Sequence, residues 1–346
     1  MGRIAVVLFN LGGPDAPEAV GPFLFNLFND PAIIGLPSLL RYPLAQLVAR
    51  RRAPTATAIY AHLGGGSPLL ANTEAQAGAL QAALADVGEV RVFCCMRYWH
   101  PMSDAVAAAV KAFDPAEIVL LPLYPQFSST TTGSSAKAWH AAAARIGLSK
   151  PTKLVCCYPM EPGFIAAAAE LVRDGLAQAK RAGGREPRLL FSAHGLPMKI
   201  VRKGDPYVGQ VGRSARAVAA RLNLPEGAWR VCFQSRVGPV EWVKPYTDAE
   251  IAAAGREGVP IVLFPISFVS EHSETLVELD IEYRRLGEES GVPAYIRVAT
   301  VGTSPAFIDG LARLVHAALA DPAPIRSEAE HRICAPAEAC CPLPAA

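Results

Sequence analysis

Short apolar runs alternate with alanine-rich amphipathic segments along almost the whole chain. Strand-like runs fall at Ile4–Phe9, Arg91–Met96, Ile118–Leu123, Lys153–Cys157, Leu189–Ser192, Val231–Gln234, Ile261–Phe268 and Ala294–Ala299. Helical patterns separate them at Thr73–Ala85, Asp104–Phe113, Ser135–Ile146, Ala166–Ala182, Gly209–Leu222, Ala249–Arg256 and Pro305–Ala320. Near-continuous apolar strands belong to parallel sheets covered on both faces, with the helices as crossovers. Eight strands divide into four plus four, with the break near Met160–Pro162. This predicts an α/β chain of two similar Rossmann-like lobes, each a four-stranded parallel sheet flanked by helices, with the active-site cleft between them. The expected division is an N-terminal lobe over 1–160 and a C-terminal lobe over 161–302. A final helix over 303–321 could join either lobe, and a tail occupies 322–346.

One stretch stands out for its chemistry. After the buried run Ile261–Phe268 comes a helix pattern with Leu276, Leu279 and Tyr283 at core spacing. Glu274, Glu278 and Glu282 recur at every fourth position. At about 100° per residue they drift by only ~40° per step, so three carboxylates form one stripe. Arg256 is the one basic residue between Lys244 and Arg284, so local neutralisation is poor. A solvated acidic face is the ordinary account of such a stripe. This helix, however, starts at the carboxyl end of a buried strand, where open α/β sheets bind ligands. His272 adds a metal-type donor two residues before Glu274.

A second stretch, Phe23–Arg52, interrupts the alternation and is too apolar for an ordinary connection. It is either a helical hairpin that caps the sheet or an exposed apolar lip, about 20–52, beside a greasy pocket and in touch with lipid. The run Phe191–Pro197 ends a strand in a small-residue loop carrying His194. A lone histidine is commonly a satisfied structural residue, but one at a strand's carboxyl end that faces carboxylates can take protons or bind a divalent metal. Turns at Leu11–Pro14, Gly64–Pro68 and Thr130–Ser135 are either anion cradles or plain turns and caps. None matches a nucleotide-binding fingerprint.

Composition narrows the class. The 346 residues are 51% hydrophobic and 18% charged, which is globular, and a net charge of +2 offers nothing to nucleic acid. The chain opens directly on a strand, with no signal peptide expected, and no apolar run approaches the ~20 residues needed to span a bilayer. A cytoplasmic protein, in peripheral contact with the inner face of a membrane through the lip, is expected. Its eight cysteines should then be reduced thiols or metal ligands. Cys94–Cys95 and Cys156–Cys157 lie in strand-like runs, where neighbours point to opposite faces, so they read as core fillers.

These motifs together resemble the ferrochelatases. FNLGGP at Phe9–Pro14, GGGSPL at Gly64–Leu69, RYWHP at Arg97–Pro101 and YPQFSSTTTGSS at Tyr124–Ser135 carry the likeness. So do SAHGLP with KGDPY at Lys203–Tyr207, QSRVGPVEW at Gln234–Trp242 and SEHSETLVELDIEY at Ser270–Tyr283. The resemblance implies insertion of Fe(II) into protoporphyrin IX on two Rossmann-like lobes, the last step of haem synthesis. It places the catalytic histidine at His194 and the key acid at Glu274. His194, Glu274, Glu278, Glu282 and His272 are the implied metal-contacting set, and a π-type widening of the acidic helix is a feature of many relatives. Phe23, Leu24, Leu27, Phe28 and Ile33 match the apolar lip, and Trp242 the aromatic wall. Arg52, Tyr60 and Ser67 match propionate-holding groups, with Arg51 adjacent, and Arg97 and Tyr98 match residues near the metal side. Leu11 is a departure, because relatives carry methionine or tyrosine there.

The tail holds Cys334, Cys340 and Cys341 and resembles extensions that bind a [2Fe–2S] cluster. Four thiolates are needed. The loop that supplies another in animal relatives carries Ser129 here; cluster-bearing bacterial relatives use the strand near Cys156–Cys157 instead, so the resemblance implies Cys157, with Cys156 close behind. Three competing readings are a coproporphyrin chelatase, a sirohydrochlorin chelatase and a non-catalytic haem or porphyrin carrier. The apolar lip disfavours the carboxylate-rich tetrapyrroles, and a carrier has no need of acids facing a base.

Overall fold

The computed structural model describes residues 2–329 and 331–344. Residue 1 of the expected N-terminal lobe and residues 330, 345 and 346 of the expected tail lie outside them. The described residues form nine strands: β1 (Ile4–Asn10), β2 (Val90–Met96), β3 (Glu117–Pro122), β4 (Thr152–Val155), β5 (Arg188–His194), β6 (Trp229–Gln234), β7 (Ile261–Pro265), β8 (Tyr295–Arg297) and β9 (Ile325–Arg326).

The strands build two parallel sheets, of order β2-β1-β3-β4-β9 and β6-β5-β7-β8. β1 is buried along its whole length, IAVVLFN, as a central strand with apolar side chains on both pleat faces must be. Val6 stands opposite Val92 on one side and Val119 on the other. β5 repeats the arrangement, with Phe191 opposite Val231 and Phe264. In both sheets the first strand sits between the second and third, so the chain changes direction of travel beside it. The carboxyl ends of β5 and β7 flank such a switch point, the crevice where open α/β sheets receive ligands.

The expected four plus four is thus five plus four. The extra strand, β9, is two residues long, and its pairing of Leu154 with Ile325 is set by tertiary placement rather than by any apolar run. The chain divides into two compact units: residues up to Cys157 with Leu311–His331, and Tyr158–Gly310 with the chain from Arg332 on. The boundary falls inside helix Pro305–Ala320, between Gly310 and Leu311.

In the first unit, Phe9, Phe93, Leu120 and Trp139 anchor the core beneath the sheet. The apolar stretch after β1 forms helices Val20–Phe28 and Ser38–Ala61. Phe23 and Leu24, expected on the lip, instead pack inward with Val20, Tyr60 and Tyr98. The apolar side chains that reach the surface lie further along, with Leu39 88% and Leu40 61% exposed. In the second unit, Leu190, Ile261, Leu263 and Leu279 form one core with Tyr295. No helix among the described residues is long and apolar enough to cross a membrane.

Candidate active site

Three neighbouring strand ends in the second unit deliver the polar groups. His194 closes β5, Gln234 closes β6 with Ser235 next, and β7 runs on to the segment Glu271–Glu282. That segment is not the single helix that its apolar spacing suggests. A short helix, Ser273–Leu276, gives way to a π-turn at Glu278–Glu282. The carbonyl of Val277 accepts from the amides of both Ile281 and Glu282 at 3.0 Å, so α- and π-type bonds share one acceptor. The wider turn breaks the predicted stripe: Glu274 and Glu278 stay half-buried, whereas Glu282 is exposed.

His194 Nδ1 lies 2.6 Å from the carbonyl oxygen of Gly195. A carbonyl can only accept, so Nδ1 carries the proton and Nε2 is left as the basic nitrogen. Nε2 lies 3.7 Å from Glu274 Oε1, and on the far side Glu274 Oε2 lies 3.5 Å from His272 Nε2. One carboxylate therefore stands between two imidazoles. Burial alone raises the Glu274 pKa, but His194 and His272 outweigh it and hold the group down at about 2.

Glu278 is driven the other way. Burial is the largest influence and Glu274 adds like-charge repulsion, so its pKa is raised although hydrogen bonds from Ser235 oppose the shift. Those bonds are the Ser235 amide to Oε1 at 2.8 Å and the Ser235 hydroxyl to Oε2 at 2.5 Å. Gln234 Nε2 donates to Oε2 at 3.2 Å and to the Glu274 carbonyl at 3.0 Å, and the Tyr283 hydroxyl donates to Oε1 at 3.1 Å. Two neighbouring acids are thus set apart, the pKa of Glu274 lowered and that of Glu278 raised.

Trp242 is buried beside this group, its indole nitrogen donating to the carbonyl of Val237 at 3.2 Å. A Cβ on Gly195 would stand 3.1 Å from the indole ring and 2.8 Å from the Gln234 carbonyl oxygen, so glycine is required where the histidine loop passes the tryptophan. Tyr207, from the KGDPY motif, is buried with its hydroxyl near the backbone of His194, and burial pushes its pKa up. Among the described residues no group of three or more His, Cys, Asp and Glu side chains is arranged to hold a metal ion; of the set implied by resemblance, His194 and His272 flank Glu274, and Glu282 is exposed.

In the first unit, Arg97 and Tyr98 follow β2 and meet on Asp30. Arg97 Nη2 lies 2.7 Å from Asp30 Oδ2, and the Tyr98 hydroxyl donates to the same oxygen at 2.8 Å. Ser134 donates there too, while Asp30 Oδ1 accepts from the amide of Ala32 at 2.8 Å. The hydroxyls of the turn Thr130–Ser135 are largely buried, and that of Ser134 is engaged internally rather than offered to an anion. Leu11, Leu27 and Phe28 are half-buried against the cluster of Phe23 and Tyr60. Arg51 and Arg52 are exposed, Arg52 standing over the Phe28 ring at 6.0 Å. Ser67 is half-buried and donates its amide to the Pro14 carbonyl at 2.7 Å, and Ile33 reaches the surface.

The cysteines also depart from expectation. β4 stops at Val155, so Cys156 and Cys157 lie beyond the strand and their thiols meet at 3.6 Å rather than pointing to opposite faces. Cys334 and Cys341 are buried near one another, and Gln210 Nε2 donates to Cys334 Sγ at 3.2 Å. Burial raises the Cys334 pKa to about 12. Cys340 turns to the carbonyl of Lys203 at 3.4 Å. Cys334 and Cys341 are sulfur donors of the type such a cluster takes, while the Cys340 thiol is turned to a carbonyl.

Asp30, Gln234, Ser235 and Tyr207 were not anticipated as site residues. The signals were faint: an aspartate in an apolar run, and a Gln-Ser pair at a strand end.

A family model described as Ferrochelatase matches residues 3–319. The ferrochelatase of Caulobacter vibrioides is 56% identical over 316 residues, 90% of this chain and 89% of that protein. That of Phenylobacterium zucineum is 56% identical over 322 residues, 92% of each. A Wolbachia ferrochelatase is 49% identical over 312 residues, 90% of this chain and 98% of its own. The solved structure of the sirohydrochlorin chelatase SirB from Bacillus subtilis subspecies spizizenii with cobalt aligns with a TM-score of 0.54. At 12% identity over 93% of this chain and 97% of the other, that likeness concerns the fold alone.

Proposed function

The chain belongs to the ferrochelatase family, and from that premise we propose how its residues insert Fe(II) into protoporphyrin IX. It is a metal chelatase of haem biosynthesis. Two pyrrole N–H protons must leave as the metal enters, and a flat macrocycle hides both those protons and the nitrogen lone pairs. Distortion of the ring by contacts at its periphery exposes them. His194 accepts the protons at Nε2, the nitrogen left basic by the Nδ1 bond to Gly195. Glu274, ionised and 3.7 Å away, stabilises the imidazolium that forms. Glu278 is the next station for the proton, its raised pKa suiting it to hold one transiently.

The observation that carries this reading is the His194–Glu274 pair at the β5/β7 switch point. Fe(II) meets the same pair as a substrate. In the second unit Trp242 serves as an aromatic wall for the macrocycle; in the first unit Leu11, Arg97 and Tyr98 serve as porphyrin contacts and Arg51, Arg52, Tyr60 and Ser67 as propionate-holding groups. Cys157, Cys334, Cys340 and Cys341 would hold a [2Fe–2S] cluster, supported by the buried Cys334–Cys341 pair. Fe(II) insertion changes no oxidation state, so the cluster's contribution is structural or sensory. The exposed apolar side chains from Ile33 to Leu47, followed by Arg50, Arg51 and Arg52, rest on an anionic membrane surface.

The test is anaerobic mixing of the protein with protoporphyrin IX and Fe(II), following loss of porphyrin fluorescence and gain of haem absorbance. His194→Ala should lose metallation while retaining porphyrin affinity. Equal haem formation by wild type and His194→Ala sinks the proton-acceptor role, and preference for coproporphyrin or sirohydrochlorin sinks the substrate.

A further inference from the structure

We propose that Arg297 is a positioning residue for iron insertion, a clamp that fixes the acid-bearing segment at both ends. It rests on the reading that His194 and Glu274 carry the chemistry. Arg297 ends β8, the strand beside β7, and its side chain is 10% exposed. Nη1 donates to Glu271 Oε1 at 2.6 Å, Nε donates to Asp280 Oδ1 at 2.8 Å, and Nη2 donates to Asp280 Oδ2. Glu271 lies three residues before Glu274, and Asp280 lies two after Glu278, inside the π-turn. One guanidinium therefore joins the two flanks of the pair Glu274–Glu278.

Neighbouring groups hold the same grip. Glu271 Oε1 also accepts from the amide of Thr300 at 2.9 Å. Tyr295, two residues before Arg297 on the same strand, donates its hydroxyl to the carbonyl of Leu279 at 2.7 Å. The edge strand thus seizes the turn at Leu279 and Asp280 and its approach at Glu271.

The physical need for a clamp comes from the shared carbonyl of Val277, bonded at 3.0 Å to both the α-type and the π-type amide. Neither register is strongly preferred by the backbone. Slipping by one residue rotates the following side chains by about 100°. Asp280 would then leave the guanidinium and Glu278 would leave Ser235. The planar fork of arginine, matched to a carboxylate by two parallel bonds, sets orientation as well as distance. Lysine offers charge without that geometry.

The experiment compares wild type, Arg297→Gln, Arg297→Lys and the control Arg285→Gln, whose side chain is 75% exposed and pairs with Glu289 at 3.6 Å. Steady-state metallation of protoporphyrin IX with Fe(II) gives kcat and KM, and amide hydrogen exchange reads residues 272–283. Arg297→Gln should lower kcat by about 10- to 100-fold, the scale expected for a misplaced catalytic group. KM for porphyrin should stay within about twofold, since the macrocycle contacts are untouched. Exchange should quicken over 272–283 and not in β5–β7. Arg297→Lys should fall between, and Arg285→Gln should match wild type.

Unchanged exchange in Arg297→Gln overturns the clamp, as does a kcat loss mirrored by KM. If Arg297→Gln does not fold, Arg297→Lys decides: wild-type kcat and exchange in that variant overturn the proposal. Failure of the wild-type protein to metallate porphyrin sinks the functional reading, and the exchange data then judge the clamp by themselves.

Discussion

The amide nitrogen of Ser235 stands 2.8 Å from Oε1 of Glu278, and the Ser235 hydroxyl stands 2.5 Å from Oε2 of the same carboxylate. Ser235 reaches this position with φ at 63°, in the left-handed region that disfavours a side chain. Held so, one residue offers two donors to one acid. Ser235→Gly keeps the backbone geometry and the amide and loses the hydroxyl, so it should fold normally with reduced turnover. Ser235→Val cannot hold that φ without strain and should destabilise the fold by about 1–2 kcal/mol. Thermal unfolding beside haem formation separates the two, and a stable, fully active valine variant would contradict the assignment.

The raised pKa of Glu278 has a definite sign in stability. An acid whose folded pKa lies above the ordinary 4.5 binds more protons folded than unfolded. Stability from this group is therefore full below 4.5 and declines as pH rises through the folded value. Glu278→Gln removes that decline. The Tm difference, variant minus wild type, should grow more positive as pH is raised above 4.5. A difference that is flat or falling with pH would show that Glu278 is not raised.

Asp30 receives the Arg97 guanidinium, the Tyr98 hydroxyl and Ser134 on one buried oxygen. Asp30→Ala leaves a largely buried cation and two hydroxyls without that acceptor and should cost about 3–5 kcal/mol. Asp30→Asn keeps acceptor capacity and should cost less. Urea unfolding measures both, and equal stabilities would show that the carboxylate charge does not matter there.

Leu39 and Leu40 are the most exposed of the apolar side chains near the basic run Arg50–Arg52. The double variant Leu39→Glu, Leu40→Glu should lose co-sedimentation with anionic vesicles and keep metallation of detergent-dispersed porphyrin. Undiminished vesicle binding would remove these residues from the membrane contact.

The order of strands and crossovers was legible because apolar runs with a period unlike that of the intervening helices report burial directly. His194, at the end of β5, and Glu274, following β7, were legible for the same reason, since strand ends are where parallel sheets gather chemistry. β9 was not, because two residues paired to an edge leave no pattern in a sequence. Glu282 was misplaced because the stripe assumed a constant 100° per residue, and the π-turn at Glu278 changes that angle.

The thiols of Cys156 and Cys157 met for a like reason, once the strand ended at Val155 rather than continuing through them. Phe23 and Leu24 were apolar enough for a lip, but hydrophobicity does not say which apolar residues the core will take. The sequence alone determined which elements form and which residue types stand at their ends, because periodicity and composition are local properties. Only the tertiary structure decided that Ser235 holds Glu278, that Asp30 binds Arg97 and that Arg297 spans Glu271 and Asp280. Each of those is a contact between segments distant along the chain, fixed by packing geometry and invisible to any local pattern.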